Sequence, residues 1–193
     1  HSDWRPVALN HEVRHFKRVT DKPDRVIDVV AETSRNEGQT LVFASSRRRA
    51  EQLAQTIVDA GYSAGHHHAG LDPQRRRRTE ADFRAARLKC LVATPTLEMG
   101  LNLPCQSVVI ADNTQYNGES FAPLPVWKYL QRAGRAGRPG QDHAGRAVLL
   151  APSWGRKKQP DYSQASPESI RSQMGSPANL AEQVLIEVAS RSC

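Results

Sequence analysis

The stretch TLVFASSRRRAEQLAQTIVDAG, residues 40–61, decides the fold. Residues 40–45 form a short apolar run with β-branched and aromatic members, the pattern of a buried strand. Ser46 can cap a helix behind it. Ala50, Leu53, Ala54 and Ile57 then give that helix one apolar stripe, and Gly61 stops it. Strand, cap, helix and stop in succession make a β-α unit.

The same unit recurs on both sides. Upstream, Val26, Val29, Val30 and Thr33 fall at i, i+3, i+4 and i+7 on a helix that starts at Asp21, with Gly38 behind it. Downstream, YSAGHH (62–67) reads as a weaker strand, and Asp72-Pro73 is an N-cap followed by proline at the first helical position. LKCLVAT (88–94), SVVIAD (107–112) and GRAVLLA (145–151) read as further strands. Thr94-Pro95 opens a short helix that stops at Gly100, and Pro125 opens the helix PVWKYLQRAG. Residues 113–124 read as a loop in which Asn117-Gly118 is a hairpin turn signal. Alternation of strand and helix predicts an α/β domain with a parallel sheet and helices on both faces. Ligands of such sheets bind outside the carboxyl ends of the strands. That rule singles out residues 45–47, 67–71, 94–102 and the stretch after Asp112.

The domain is expected over residues 21–152. Residues 1–20 read as a connecting arm, with Pro6 and no helical period. Residues 153–167, rich in Ser, Pro, Gln and Lys, read as a linker. Residues 179–190 read as one amphipathic helix, expected to begin a further domain that the chain cuts short. A chain that opens on His1 suggests an excised segment.

The chain has 193 residues, 38% hydrophobic and 24% charged, which excludes a disordered charged tail. No apolar run approaches the ~18 residues of a membrane span. Cys90, Cys105 and Cys193 show no CxxC spacing, which argues against a disulfide scaffold and for a reducing compartment. The net charge of +7 favours a polyanionic partner, nucleic acid before membrane.

The strongest chemical signal is QRAGRAGRPG (131–140). Arg135 and Arg138, three apart, would project to one side of a helical turn. Gly134 and Gly137 would remove side chains that hold a ligand off. Two guanidiniums on a bared turn suit a phosphate chain, since each donates paired hydrogen bonds. The second signal is ATPTLEMGLNLP (93–104), a strand running into a helix N-terminus with hydroxyls, where orphan N–H groups bind phosphate. His66-His67-His68 invites a metal, but consecutive strand residues point to opposite faces and no ligand lies at metal spacing, so none is expected. The run Arg75 to Arg78 reads first as a solvated helix face. A phosphate loop needs Gly-Lys-Ser/Thr. None of the 12 glycines precedes lysine, and no Asp precedes Glu. Phosphate-facing arginines without a phosphate loop indicate a half-site completed elsewhere.

Together these segments resemble the second RecA-like domain of a superfamily 2 helicase, over residues 2–152. TLVFASSRRRAEQLA resembles motif IV, ATPTLEMGLNLP motif V and QRAGRAGR motif VI. HHAGL (67–71), the form of motif V and the ending AGRAGRPG are similar to the Ski-like branch. SDWRPV and the segment between motifs V and VI most resemble archaeal fork-repair DNA helicases, relatives of the polymerase-theta helicase domain. The last residues resemble the start of that family's winged-helix domain.

The resemblance implies two RecA-like domains that clamp ATP and Mg2+, bound mainly by the first, which carries the phosphate loop. Arg138 and Arg135 would reach the γ-phosphate, Arg138 being the arginine finger. Gln131, Gly100 and Asn102 would border the nucleotide. Thr94 and Thr96, with backbone near Gly100, would hold phosphates of the tracking strand, and Ser45, Arg47 and His68 would line it. From the turn signal and the rings that flank it, and not from the resemblance, Tyr116, Asn117, Gly118 and Phe121 are expected to form a hairpin that splits the duplex. The implied activity is ATP-dependent 3′-to-5′ unwinding of forked or single-stranded DNA in replication-coupled repair. The implied partners are DNA and the other domains of one monomeric protein, with no membrane. The place would be the nucleoid of a prokaryote or the nucleus of a eukaryote. An RNA helicase of the same branch, or a non-catalytic nucleic-acid-binding half, stays open on these residues.

Overall fold

The structure, a computed structural model, describes residues 7–95, 103, 105–116, 119–154, 162 and 166–168. Five strands fall where the apolar runs predict them: β2 (Thr40–Phe43), β3 (Ala64–His67), β4 (Cys90–Ala93), β5 (Ser107–Ile110) and β8 (Ala144–Pro152). A sixth, β1 (Ala8–Phe16), occupies what the sequence presents as a connecting arm. The order is β1-β8-β5-β2-β4-β3, and every pairing is parallel. From β4 to β5 the strand order passes from one side of β2 to the other.

Side-chain alternation divides the core in two. Leu41, Phe43, Leu91 and Ile110 face α3 (Pro73–Arg84) and α4 (Val126–Ala133), packing with Phe83, Tyr129 and Ala133. Val42, Val92, Val109 and Val148 face α1 (Lys22–Arg35) and α2 (Arg47–Asp59). The buried residues of α1 are Val26, Val29, Val30 and Thr33, the predicted stripe. The Ser46 side chain caps α2 by accepting from Arg49 N–H, and Asp72 caps α3 by accepting from Gln74 and Arg75 N–H. Among the described residues no helix is long and apolar enough to cross a membrane. Cys90 and Cys105 are free and buried; burial pushes the Cys105 thiol up to about 12, so neither is a reactive thiolate.

β1 was not legible as a strand because its stabilisation is lateral and polar. It is an edge strand pairing only with β8. Arg14 pairs with Glu12 and Glu32, and Arg146 of β8 pairs with the same two carboxylates. His11 Nδ1 lies 2.7 Å from the Tyr129 hydroxyl.

Residues 113–124 are not simple loop. β6 (Thr114–Tyr116) and β7 (Phe121–Pro123) form a separate antiparallel pair in which Tyr116 faces Phe121. The turn residues Asn117 and Gly118 lie outside the described residues, as do Thr96, Gly100, Asn102 and the expected winged-helix segment from residue 169 on. The stretch read as a linker is anchored at Tyr162, and Glu168 just past it makes a second attachment. Tyr162 is buried, with its ring 4.8 Å from that of Tyr129 and its hydroxyl donating to Leu124 O at 2.7 Å. Glu168 accepts Val126 N–H and Trp127 N–H at 2.7 and 3.0 Å, supplying the cap that Pro125 cannot give α4.

Candidate nucleic-acid and nucleotide interface

The carboxyl ends of β2, β3 and β5 bring Ser45, Arg47 and the HHAGL loop together. Their organiser is Asp112, just past β5. Its carboxylate accepts Ser45 N–H at 3.0 Å, Lys22 Nζ at 2.6 Å and Arg49 Nη1 at 3.2 Å. Arg49 also donates to Ser45 Oγ at 3.0 Å. Burial pushes the Asp112 carboxyl upward, but the Lys22 ammonium and the bonds from Ser45 outweigh it and hold the group below the usual carboxylate range. It is therefore an anion that pins the β2–α2 loop. Arg47 is exposed and lies across Gly70: a Cβ at that glycine would meet Arg47 Nη1 at 3.0 Å. Thr94 is buried at the end of β4, its N–H on His67 O.

His68, expected to line the strand, is only 3% exposed. Its Nε2 lies 2.8 Å from Glu51 Oε1, and its Nδ1 accepts Gly70 N–H at 3.2 Å. Its place is beneath the loop, which it shapes, rather than on the strand surface. Strand alternation separates only one of the three consecutive histidines from the others. His67 does point away and pairs with Glu80, but His66 and His68 share a face, their rings stacked at 5.6 Å, and α2 brings Glu51 to them. One donor atom from each of the three lies within 4.8 Å of the others. The chemistry still opposes a metal. With Nδ1 accepting a backbone N–H, Nε2 carries the proton that the ion would have to replace. Burial, then the charge of Arg75, pushes the His66 pKa down, which keeps that imidazole neutral.

The arginine-glycine turn lies at the other end of the sheet, beside the amino ends of β5 and β8. Gln131 is exposed on the last turn of α4. The helix ends at Ala133, so Arg135 and Arg138 do not share a helical turn. Instead the chain runs alongside Cys105: Ala136 bridges it, and Gly137 N–H donates to Cys105 O at 2.7 Å. The glycines serve this backbone path. Gly137 has φ +94°, and a Cβ there would press on Val7; a Cβ on Gly145 of β8 would lie 2.5 Å from Ala136 O and Gly137 N.

Arg138 is held by Asp142. Nε donates to Oδ2 at 3.0 Å and Nη2 to Oδ1 at 2.8 Å, while the Arg138 backbone N–H donates to Oδ2 at 2.8 Å. Burial pushes the Asp142 carboxyl up, but these bonds more than offset it and the group sits below its ordinary range. Arg132 is buried, with its guanidinium 5.5 Å from the Phe43 ring centroid, tying α4 to the end of β2.

Residues 21–140, from the start of α1 through this turn, match the helicase conserved C-terminal domain. The chain belongs to that family. It is similar to proteins named ATP-dependent DNA helicase Hel308. That of Methanocella arvoryzae is 32% identical over an alignment of 241 residues that takes in 100% of this chain and 33% of the relative. Those of Caldivirga maquilingensis and Aeropyrum pernix are also 32% identical, covering 98% and 97% of this chain and 32% of each relative. The chain spans about a third of the length of these relatives.

Three residues that carry the geometry were not singled out from sequence as site residues: Asp112 and Arg132, inside the matched stretch, and Asp142, two residues past it. Asp112 takes its partners from residues 90, 67 and 63 positions away, which no local pattern reveals. Asp142 lies four residues after Arg138, a spacing that signals pairing only on a helix, and here the chain is a turn. Arg132 lies inside QRAGRAGR, where it resembles its neighbours.

Proposed function

We propose that this helicase C-terminal domain is the second motor half of an ATP-dependent 3′-to-5′ DNA helicase that opens forked or single-stranded DNA in replication-coupled repair. The carrying observation is the setting of Arg138. Its side-on pairing with Asp142 leaves the end-on fork, one hydrogen from each Nη, for a second oxyanion. A chain with such an arginine and no Gly-Lys-Ser/Thr suits a half-site.

ATP supplies, when bound, a γ-phosphoryl group: its binding would close the cleft between the two RecA-like domains, and transfer of that group to water would reopen it. Arg138 would meet the charge that develops there, with Arg135 and Gln131 beside it. Asp112 and Asp142 are both engaged by cationic side chains, so neither is offered to Mg2+, in keeping with a metal held by the first domain. At the other end of the sheet Ser45, Arg47 and Thr94 would grip the tracking strand, a role the resemblance also gives to Thr96. α4 runs between the two, from the β6–β7 pair to the arginine turn. Tyr116 and Phe121 are 60% and 75% exposed, so the rings are not core; that exposure supports a role in which they would stack on bases and split the duplex.

The test is unwinding by the intact helicase on matched DNA and RNA forks with 3′ or 5′ tails. ATP-dependent opening of the 3′-tailed DNA fork is expected. Opening of RNA alone would favour an RNA helicase of the same branch, and no ATP-dependent opening would favour a non-catalytic binding half.

A further inference from the structure

We infer that Asp142 is a positioning residue for the motif VI arginine, holding the Arg138 guanidinium edge-on so that its end-on fork stays aimed outward. The inference rests on the proposed role of Arg138.

One carboxylate fixes Arg138 at three atoms. It takes the side chain through Nε and Nη2, and the backbone N–H through Oδ2. The loop then closes on itself, since Gln141 N–H and Asp142 N–H both donate to Arg138 O at 3.1 and 3.0 Å. Gly140, at φ +77°, makes that closure possible. The Asp142 side chain is 3% exposed and that of Arg138 19%. The carboxylate is thus shielded from solvent, while the arginine paired with it is partly exposed. A guanidinium has five N–H donors in a rigid plane. Pairing through Nε and Nη2 fixes that plane in direction as well as position. It leaves the Nη1 hydrogens and one on Nη2 for another anion.

A restraint that phosphate must displace would occupy the end-on fork, which is the geometry best suited to phosphate. The observed pairing uses the other edge. Preorganisation of this kind affects the chemical step more than nucleotide binding, because the donor is already where the charge develops and no reorientation is needed.

The experiment compares Asp142→Asn, Arg138→Ala and the double variant in the intact helicase. It reads nucleic-acid-stimulated kcat, KM for ATP, ATP affinity and Tm. Asp142→Asn keeps the shape and loses the anion. Expected is a fall in kcat of roughly 10–100-fold, the scale of a misplaced catalytic group, with KM and ATP affinity within about twofold. In the Arg138→Ala background the same change should lower kcat no further. Should Asp142→Asn fail to fold, Asp142→Glu, which keeps the charge but shifts it by one methylene, carries the test with the same expected split. Unchanged or raised kcat in a folded Asp142 variant, with Arg138→Ala inactive, overturns the inference and leaves the role of Arg138 standing. Losses that multiply in the double variant also overturn it, since Asp142 would then act without Arg138. Near-normal turnover by Arg138→Ala overturns the role of Arg138 itself, and the inference with it.

Discussion

Replacing Gly145 by alanine probes the contact on which the arginine turn rests. A Cβ at this position would lie 2.5 Å from Ala136 O and Gly137 N. Ordinary heavy-atom contact is about 3.5 Å, so the turn must retreat by about 1 Å. Both neighbours are backbone atoms, which cannot swing aside as a side chain does. Gly145 has no positive φ, so the cost is steric and not conformational. Overpacking of this kind costs about 1–3 kcal/mol, and backbone neighbours place it in the upper half of that range. At about 2–4 °C per kcal/mol for a chain of this size, Tm should fall by roughly 4–12 °C. The segment displaced carries Arg135 and Arg138. In the intact helicase, then, nucleic-acid-stimulated ATP turnover should fall by on the order of a hundredfold, with ATP affinity less affected. Thermal unfolding of the 193-residue chain and steady-state ATPase of the intact protein are the assays. Gly61→Ala is the comparison: it strains a φ of +91° with nothing within 4 Å of its Cβ, and it should leave turnover alone. A Gly145→Ala protein with unchanged Tm and turnover would refute the reasoning that β8 seats this turn.

Shortening residues 115–122 to a tight turn should cut unwinding sharply yet spare single-strand-stimulated ATPase. Base–aromatic stacking at ~1–3 kcal/mol is comparable to the ~1.4 kcal/mol of one melted DNA step, and equal loss of both activities would show the hairpin to be structural. The purified 193-residue chain should neither hydrolyse ATP nor unwind DNA, and steady turnover free of contaminants would sink the half-site idea. The carboxylates around Arg14 and Arg146 give a pH dependence. Burial raises Glu12 but bonds from both arginines outweigh it, and the Arg14 bond leads the lowering of Glu32. Folded values below the unfolded value mean stability that is present above about pH 4.3 and is lost as pH falls through the folded values. Tm should therefore drop in that acid window, and the drop should shrink in a Glu12→Gln, Glu32→Gln variant.

The inner sheet was legible because its strands are buried on both faces and so read as unbroken apolar runs, as in Thr40–Phe43 and Ser107–Ile110. The Ser46 and Asp72 caps were legible because capping is a local act. β1 was hidden for the opposite reason. Glu12 and Arg14 look like surface charge until Glu32 is brought to Arg14 from 18 residues further on and Arg146 to Glu12 from 134. The arginine turn was recognisable by composition, but its path was not. Gly134 and Gly137 suggested room for a ligand, whereas Gly137 bends the chain beside Cys105 and packs close to Val7 and Gly145. His66 and His68 came together with Glu51 because alternate strand residues share a face, and only the Gly70 N–H shows which nitrogen is already protonated.

The most direct measurement is nucleic-acid-stimulated ATP turnover beside ATP affinity for Arg138→Ala and Arg138→Lys in the intact helicase. An arginine that stabilises charge only in the transition state is worth about 10³–10⁵ in turnover in phosphoryl-transfer enzymes. A loss of that order is expected for both variants with ATP affinity largely kept, because one ammonium cannot reproduce the guanidinium fork. Turnover near normal in Arg138→Ala, or full rescue by lysine, would contradict it.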